Sequence, residues 1–309
     1  MAPNARAQAL DALLREVGPV WQQDIRSAGD RIKQAYLPLL MAAPRAGVSI
    51  SRDLPYGAHA RQVLDVYRPD GARRAPVVVF VHGGAFVRGA KDINEAMYGN
   101  VLTWFARHGC VGVNVEYRLA PEARHPDGAL DVAAACDWVL DNIARFGGDP
   151  ARLCLVGHSA GGTHVATYAC DPMLAPRRRA IAGLVLVSAR LSVDTLPENP
   201  NASGVRAYFG SGELSPLLSP MAHAAHLEVP VFVVHAQYEN PLLDVYAAEF
   251  THRVAQARRV APRHMSMAGH NHVSVMAHFN SGEQLLGEQI LDFFERHNTS
   301  MPRSPTATA

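Results

Sequence analysis

The chain is poor in everything that would staple it covalently or draw it toward a charged polymer. It has four cysteines in 309 residues, Cys110, Cys136, Cys154 and Cys170, and none of them stands in C-x-x-C spacing. That excludes a disulfide framework and a Cys-ligated zinc site, and it leaves core thiols suited to a reducing compartment. Net charge is only +1, from 29 basic and 28 acidic residues, so no global field attracts a polyanion and nucleic acid is not an expected partner. The one basic run, Arg177-Arg178-Arg179, reads as a solvated loop. No apolar run approaches the roughly 20 residues that a membrane-spanning helix needs. The first residues carry Asp11 and lack the apolar core of a secretory leader. A cytoplasmic protein without membrane insertion is the expectation, and no internal repeat is visible.

What the chain does have is apolar content: 48% of its residues are hydrophobic and 18% charged, enough for a full core in one large α/β domain. Residues 5–41 read as helix, with Leu10, Leu13, Leu14 and Val17 on one face, a break at Gly18-Pro19, and Ile25, Ile32, Tyr36 and Leu37 beyond it. Residues 62–68 alternate, with Leu64 and Val66 on one face, and predict an early strand before the turn Pro69-Asp70-Gly71. Five continuous apolar runs follow, at 77–81, 111–115, 153–156, 184–187 and 229–234. Unbroken runs mark strands buried on both faces. Helical stretches such as 129–144 separate them, which predicts a mostly parallel, doubly wound central sheet with helices on both faces. The expected organisation is a small helical cap segment at 1–46 and the α/β domain at 47–297. An irregular insert at 188–227 lies where an active-site cover would sit, and a disordered Ser/Thr/Pro-rich tail is expected at 298–309.

The chemistry starts at Gly157-His158-Ser159-Ala160-Gly161, which stands between an apolar run and a helix-like stretch. Strand, sharp turn and helix make this a nucleophile elbow, in which the serine projects its Oγ from a turn so tight that its flanks must be small. A serine hydroxyl needs a base, and the base needs an acceptor on its other nitrogen. In this arrangement the acid follows the nucleophile and the histidine comes last. Of 15 histidines, that leaves His264, His270, His272 and His278. His264 falls within a strand and His278 lies too far along, whereas a bend at Gly269 leaves His270 and His272 on the loop. His272 is preferred because it sits where the loop enters the next apolar segment. For the acid, Glu239 on the loop after 229–234 is preferred to Asp244, which falls in the first turns of a helix that Asn240 would cap and Pro241 open. Upstream, His82-Gly83-Gly84-Ala85-Phe86 leaves the run 77–81, and the amides of Gly83 and Gly84, with that of Ala160, would form an oxyanion hole.

Together these pieces resemble the hormone-sensitive-lipase-like branch of the α/β-hydrolases. Its H-G-G-G-[FW] motif is matched by residues 82–86 with Ala85 at the third glycine. Its Y-R-L-A-P-E segment stands as Tyr117-Arg118-Leu119-Ala120-Pro121-Glu122, and its G-D-S-A-G-G elbow as residues 157–162 with His158 in place of aspartate. The likeness runs from about residue 63 to residue 295. Glu239-Asn240-Pro241 replaces the D-P-L acid motif; with the G-H-S-A-G elbow it is similar to arylformamidases and small esterases, whose acid aligns with Glu239 and whose histidine matches His272.

The resemblance implies a serine carboxylesterase for short to medium acyl esters, working through an acyl-enzyme on the triad Ser159, Glu239 and His272. It implies no metal or organic cofactor and a small-molecule ester as partner, with a homodimer left open. It further implies an Arg118–Asp131 ion pair beneath the site, a packing role for Tyr117, and no catalytic role for His158 or His164. The runner-up is arylformamidase-type amide hydrolysis. Members of the fold that lost the serine or histidine act as small-molecule receptors, a reading opposed here by candidates for all three positions.

Overall fold

Five strands are apolar without interruption because each faces helices on both sides of one sheet. The computed structural model describes residues 3–94 and 96–297; the tail expected at 298–309 lies outside them. Eight strands form the sheet: β1 (Val48–Pro55), β2 (Val63–Pro69), β3 (Ala75–Val81), β4 (Val111–Val115), β5 (Gly148–His158), β6 (Gly183–Val187), β7 (Val231–Tyr238) and β8 (Arg263–Asn271). Their spatial order is β1-β2-β4-β3-β5-β6-β7-β8. β2 pairs antiparallel with both β1 and β4, and β3 to β8 run parallel. The expected mostly parallel, doubly wound sheet is what is found.

The pleat sorts side chains to two cores. On β3, Val77, Val79 and Val81 enter one cluster and Val78 and Phe80 the other. The first cluster is closed by α4 (Asp127–Asn142), α5 (Ala160–Cys170) and α7 (Leu243–Arg258). The second is closed by α3 (Gly99–Arg107), α8 (Ser274–Ala277) and α9 (Leu285–His297). Two further helices, α1 (Pro3–Val17) and α2 (Ile25–Ala42), add Leu10, Leu14, Val17, Trp21, Ile32, Tyr36 and Leu40 to that second cluster, with a 3-10 turn at the expected Gly18-Pro19 break. All four cysteines are buried and free. Burial pushes the Cys136 thiol up to about 12. Among the described residues, no helix is long and apolar enough to cross a membrane.

One strand is added and three local expectations are corrected. The edge strand β1 has no apolar run to announce it, because its side chains are half-buried or exposed. The insert at 188–227 is not wholly irregular: it contains α6 (Ala202–Phe209) and two 3-10 turns. Asn240 does not cap α7; that helix begins at Leu243 after Leu242 in a left-handed conformation (φ 68°), and the Asn240 side chain is engaged by Trp21 instead. Gly269 (φ 78°) does not end the last strand but shifts its register, and pairing resumes at Tyr238 with Asn271, so His270 is still on β8.

The core should respond as a close-packed solid. Phe250→Ala on α7, a fully buried ring, is expected to lower unfolding free energy by about 3–5 kcal/mol in urea denaturation. Val245→Ala on the same helix, 52% exposed, should stay within about 0.5 kcal/mol.

Candidate active site

The C-terminal ends of β3, β5, β6 and β7 converge on one point, and Ser159 occupies it. It links β5 directly to α5 with φ 55° and ψ −119°, a conformation that residues with a Cβ rarely adopt. The turn survives because Gly157 and Gly161, two positions to either side, have no side chains. A Cβ on Gly157 would lie 2.5 Å from Val165 and 2.7 Å from the Gly161 oxygen, and one on Gly161 would run into the Val81 and His82 carbonyls.

Two loops bring partners to the serine. After β8, His272 places Nε2 3.1 Å from Ser159 Oγ, and its Nδ1–H donates to Glu239 Oε2 at 2.7 Å. Glu239, on the loop after β7, is buried, and its other oxygen accepts from the Ser188 hydroxyl and from the Ala236 N–H at 2.9 Å. Burial opposes the charge on Glu239, but the His272 ring, the Ser188 hydroxyl and the Ala236 amide together hold the carboxyl below its ordinary range. The alternatives lie elsewhere. Asp244 is exposed in the first turn of α7. His270 is bound to Ser274 Oγ and Glu283, His264 sits exposed on β8, and His278 is buried against the Ser274 carbonyl. Neither His158 nor His164 bonds Ser159: His158 Nε2 reaches the His272 carbonyl at 3.0 Å, and His164 lies among Phe86, Tyr117 and Tyr208.

The glycine loop after β3 packs directly on the nucleophile: a Cβ on Gly83 would stand 2.9 Å from Ser159 Cβ. The amides of Gly83, Gly84 and Ala85 make no hydrogen bond among the described residues. Ala160, as the first residue of α5, has an amide with no intrahelical acceptor. The three expected oxyanion donors, Gly83, Gly84 and Ala160, are therefore unengaged among the described residues, with the Ala85 amide beside them. Backbone angles of φ 51° at Ala85 and 70° at Phe86 turn this loop back over the site.

Of the anchors beneath the loop, Arg61 and Glu116 belong to no motif. His82 Nε2 donates to Glu116 at 3.1 Å, and Arg61 binds that carboxylate together with the Tyr117 and Gly89 carbonyls. Tyr117 stacks on His82 and donates to its carbonyl oxygen at 3.0 Å. Arg118 pairs with Asp131 at 2.7 Å, as expected. Over the site, α6 contributes Val205 and Tyr208 to an apolar cluster with Phe86, Ala120 and Ala160. From below, Trp21 Nε1 donates to Asn240 Oδ1 and Gln22 Nε2 to the Glu239 carbonyl, both at 3.0 Å. Among the described residues, no group of three or more His, Cys, Asp or Glu is arranged to hold a metal ion.

Comparison with known proteins adds to this geometry. The BD-FAE family model matches residues 64–171. Esterase LipC of Mycobacterium tuberculosis (strain H37Rv) is 39% identical over 120 residues, 38% of this chain and 29% of that protein. Carboxylesterase NlhH of M. tuberculosis (strain CDC 1551) is 42% identical over 110 residues, 34% of this chain and 32% of that protein. These matches thus span about a third of each relative's length. A hyperthermophilic esterase from the archaeon Pyrobaculum calidifontis superposes with a TM-score of 0.68 over 97% of this chain and 98% of its own, at 24% identity, a likeness of fold.

The buried histidines set an acid limit on stability. Burial holds His158 well below its ordinary value of 6.5, His164 down to about 3 and His278 to about 4. Below 6.5 the unfolded chain binds more protons than the folded one, so their contribution is complete above pH 6.5 and lost as pH falls toward the folded values. The urea midpoint is expected to drop steadily from pH 7 to pH 5, and His164→Leu should flatten that slope.

Proposed function

We propose that this chain, an α/β-hydrolase by fold, is a serine carboxylic ester hydrolase for short to medium acyl esters. The observation that carries the reading is the relay of 3.1 Å and 2.7 Å from Ser159 through His272 to Glu239, set beside unengaged amides. In this reading Ser159 Oγ attacks the ester carbonyl carbon while His272 Nε2 takes its proton. Glu239 stays ionised and stabilises the imidazolium. The oxyanion is met by the amides of Gly83, Gly84 and Ala160, with that of Ala85 beside them. Collapse expels the alcohol, which takes the proton from His272, and leaves an acyl-serine. Water, deprotonated by the same histidine, then releases the acid.

The substrate assignment draws on the apolar cluster around Phe86 and Tyr208, which includes Ala160 beside Ser159 and offers an apolar surface to an acyl group. The names of the relatives, esterases and carboxylesterases, point the same way. The second reading, amide hydrolysis of the formamidase kind, is favoured by the G-H-S-A-G elbow and the glutamate acid. Residues 1–46 are taken as a helical segment appended to the hydrolase domain at 47–297, bracing the acid loop through Trp21 and Gln22. Four unpaired buried thiols support a cytoplasmic setting.

On a short-chain aryl ester, Ser159→Ala and His272→Ala are each expected to reduce kcat by about 10³-fold or more, and Glu239→Gln by about 10²–10⁴-fold. Activity near wild type in Ser159→Ala would overturn the reading. A strong preference for an N-formyl aryl amide over the matching ester would replace it with the second.

A further inference from the structure

We propose that His158 is a positioning residue that locks the elbow, the glycine loop and the base loop into one unit. Its ring lies 4.9 Å, centroid to centroid, from that of His272 and shares no bond with the nucleophile. Both of its nitrogens are nonetheless engaged: Nε2 is 3.0 Å from the His272 carbonyl and Nδ1 is 3.1 Å from the Tyr98 hydroxyl. A carbonyl can only accept, so Nε2 carries the proton and Nδ1 offers the lone pair that takes the Tyr98 O–H. The Gly83 backbone lies so close to His158 that a Cβ there would stand 3.0 Å from Nδ1. The order of donation runs from Tyr98 to His158 and from His158 to the backbone of His272.

This order requires a neutral imidazole. Burial, reinforced by the His272 ring, keeps His158 in that state. Among the described residues no carboxylate bonds to it: His158 is 3% exposed and packs between Tyr98 and His272. An aspartate here, as in the G-D-S-A-G-G motif, could not donate to the His272 carbonyl, because a carboxylate only accepts. The substitution noted in the elbow is thus a change in how the base loop is held. His272 is fixed first through its ring by Glu239 and its N–H by the Tyr238 carbonyl at 3.2 Å, and second through its own carbonyl by His158. Losing the second hold lets Nε2 drift from Ser159, and about 1 Å of drift is enough to cost a large part of the rate.

The kinetic part of the test rests on the esterase reading; the spectroscopic part does not. On an aryl ester, His158→Leu is expected to lower kcat about 10- to 100-fold with KM within about twofold, because orientation and not binding is lost. His158→Gln supplies an amide donor and acceptor in place of the two ring nitrogens and should recover most of that loss. Tyr98→Phe removes one hydrogen bond and should cost about 3- to 10-fold. Circular dichroism melts identify any variant unfolded at the assay temperature. A folded His158→Leu with wild-type kcat, or a His158→Gln no better than His158→Leu, overturns the proposal. Independently, ¹⁵N NMR of the wild-type chain should show His158 neutral and protonated on Nε2 from pH 5.5 to 9. An Nδ1–H tautomer or a titration in that range overturns the proposal whether or not the chain hydrolyses esters. Absence of esterase activity in the wild type would sink the functional reading and leave this spectrum to decide the positioning role.

Discussion

The approach of α5 to the end of β3 is the constraint on which everything near Ser159 depends. Gly161 lies against the Val81 and His82 carbonyl oxygens, so the first turn of the helix sits over the strand with no side chain between them. That contact sets the tightness of the turn and forces Ser159 into its strained backbone. It also brings the amides at the start of α5 beside those of the glycine loop. A methyl group at Gly161 would move the helix, and with it Ser159 and the Ala160 amide. The strain at one residue is sustained by close packing on all sides.

Charge is handled with similar economy. Glu239 is a buried carboxylate that stays ionised because each of its oxygens has a donor: His272 on one, Ser188 and Ala236 on the other. Glu116 is treated the same way by His82, Arg61 and the Lys91 amide at 2.8 Å. The two carboxylates stand under opposite halves of the site, one holding the base and the other the glycine loop. Neither is bonded to Ser159. Both fix the orientation of groups beside it.

Much of this was legible in the sequence because its cause is local. A strand buried on both faces must be largely apolar, and a tight elbow must be glycine-rich, so the individual strands and Ser159 leave marks within a few residues of themselves. Ser188 and Glu116 leave none, because they act on residues about 50 and 34 positions away and sit in ordinary strand-end contexts. Asn240 misled for a related reason. As a sequence token it caps a helix, but its side chain is taken by Trp21, 219 positions earlier, and the helix starts later without a side-chain cap. The same holds for Gly269, which reads as a strand end and serves as a bulge, because pairing with β7 continues beyond it.

The Trp21–Asn240 bond also has a consequence in time. Trp21 and its helices bury their apolar faces against elements that include α8 and α9, far later in the chain. During synthesis at roughly 5–20 residues per second, the early segment therefore exists for on the order of ten seconds or more before the loop it braces has been made. For that interval the apolar stripe of Leu10, Leu14, Trp21, Ile32 and Tyr36 has no native surface to cover. A newly made chain is thus most exposed to chaperones and to wrong pairings at its earliest helices, and the Glu239 loop receives its brace among the last steps of folding.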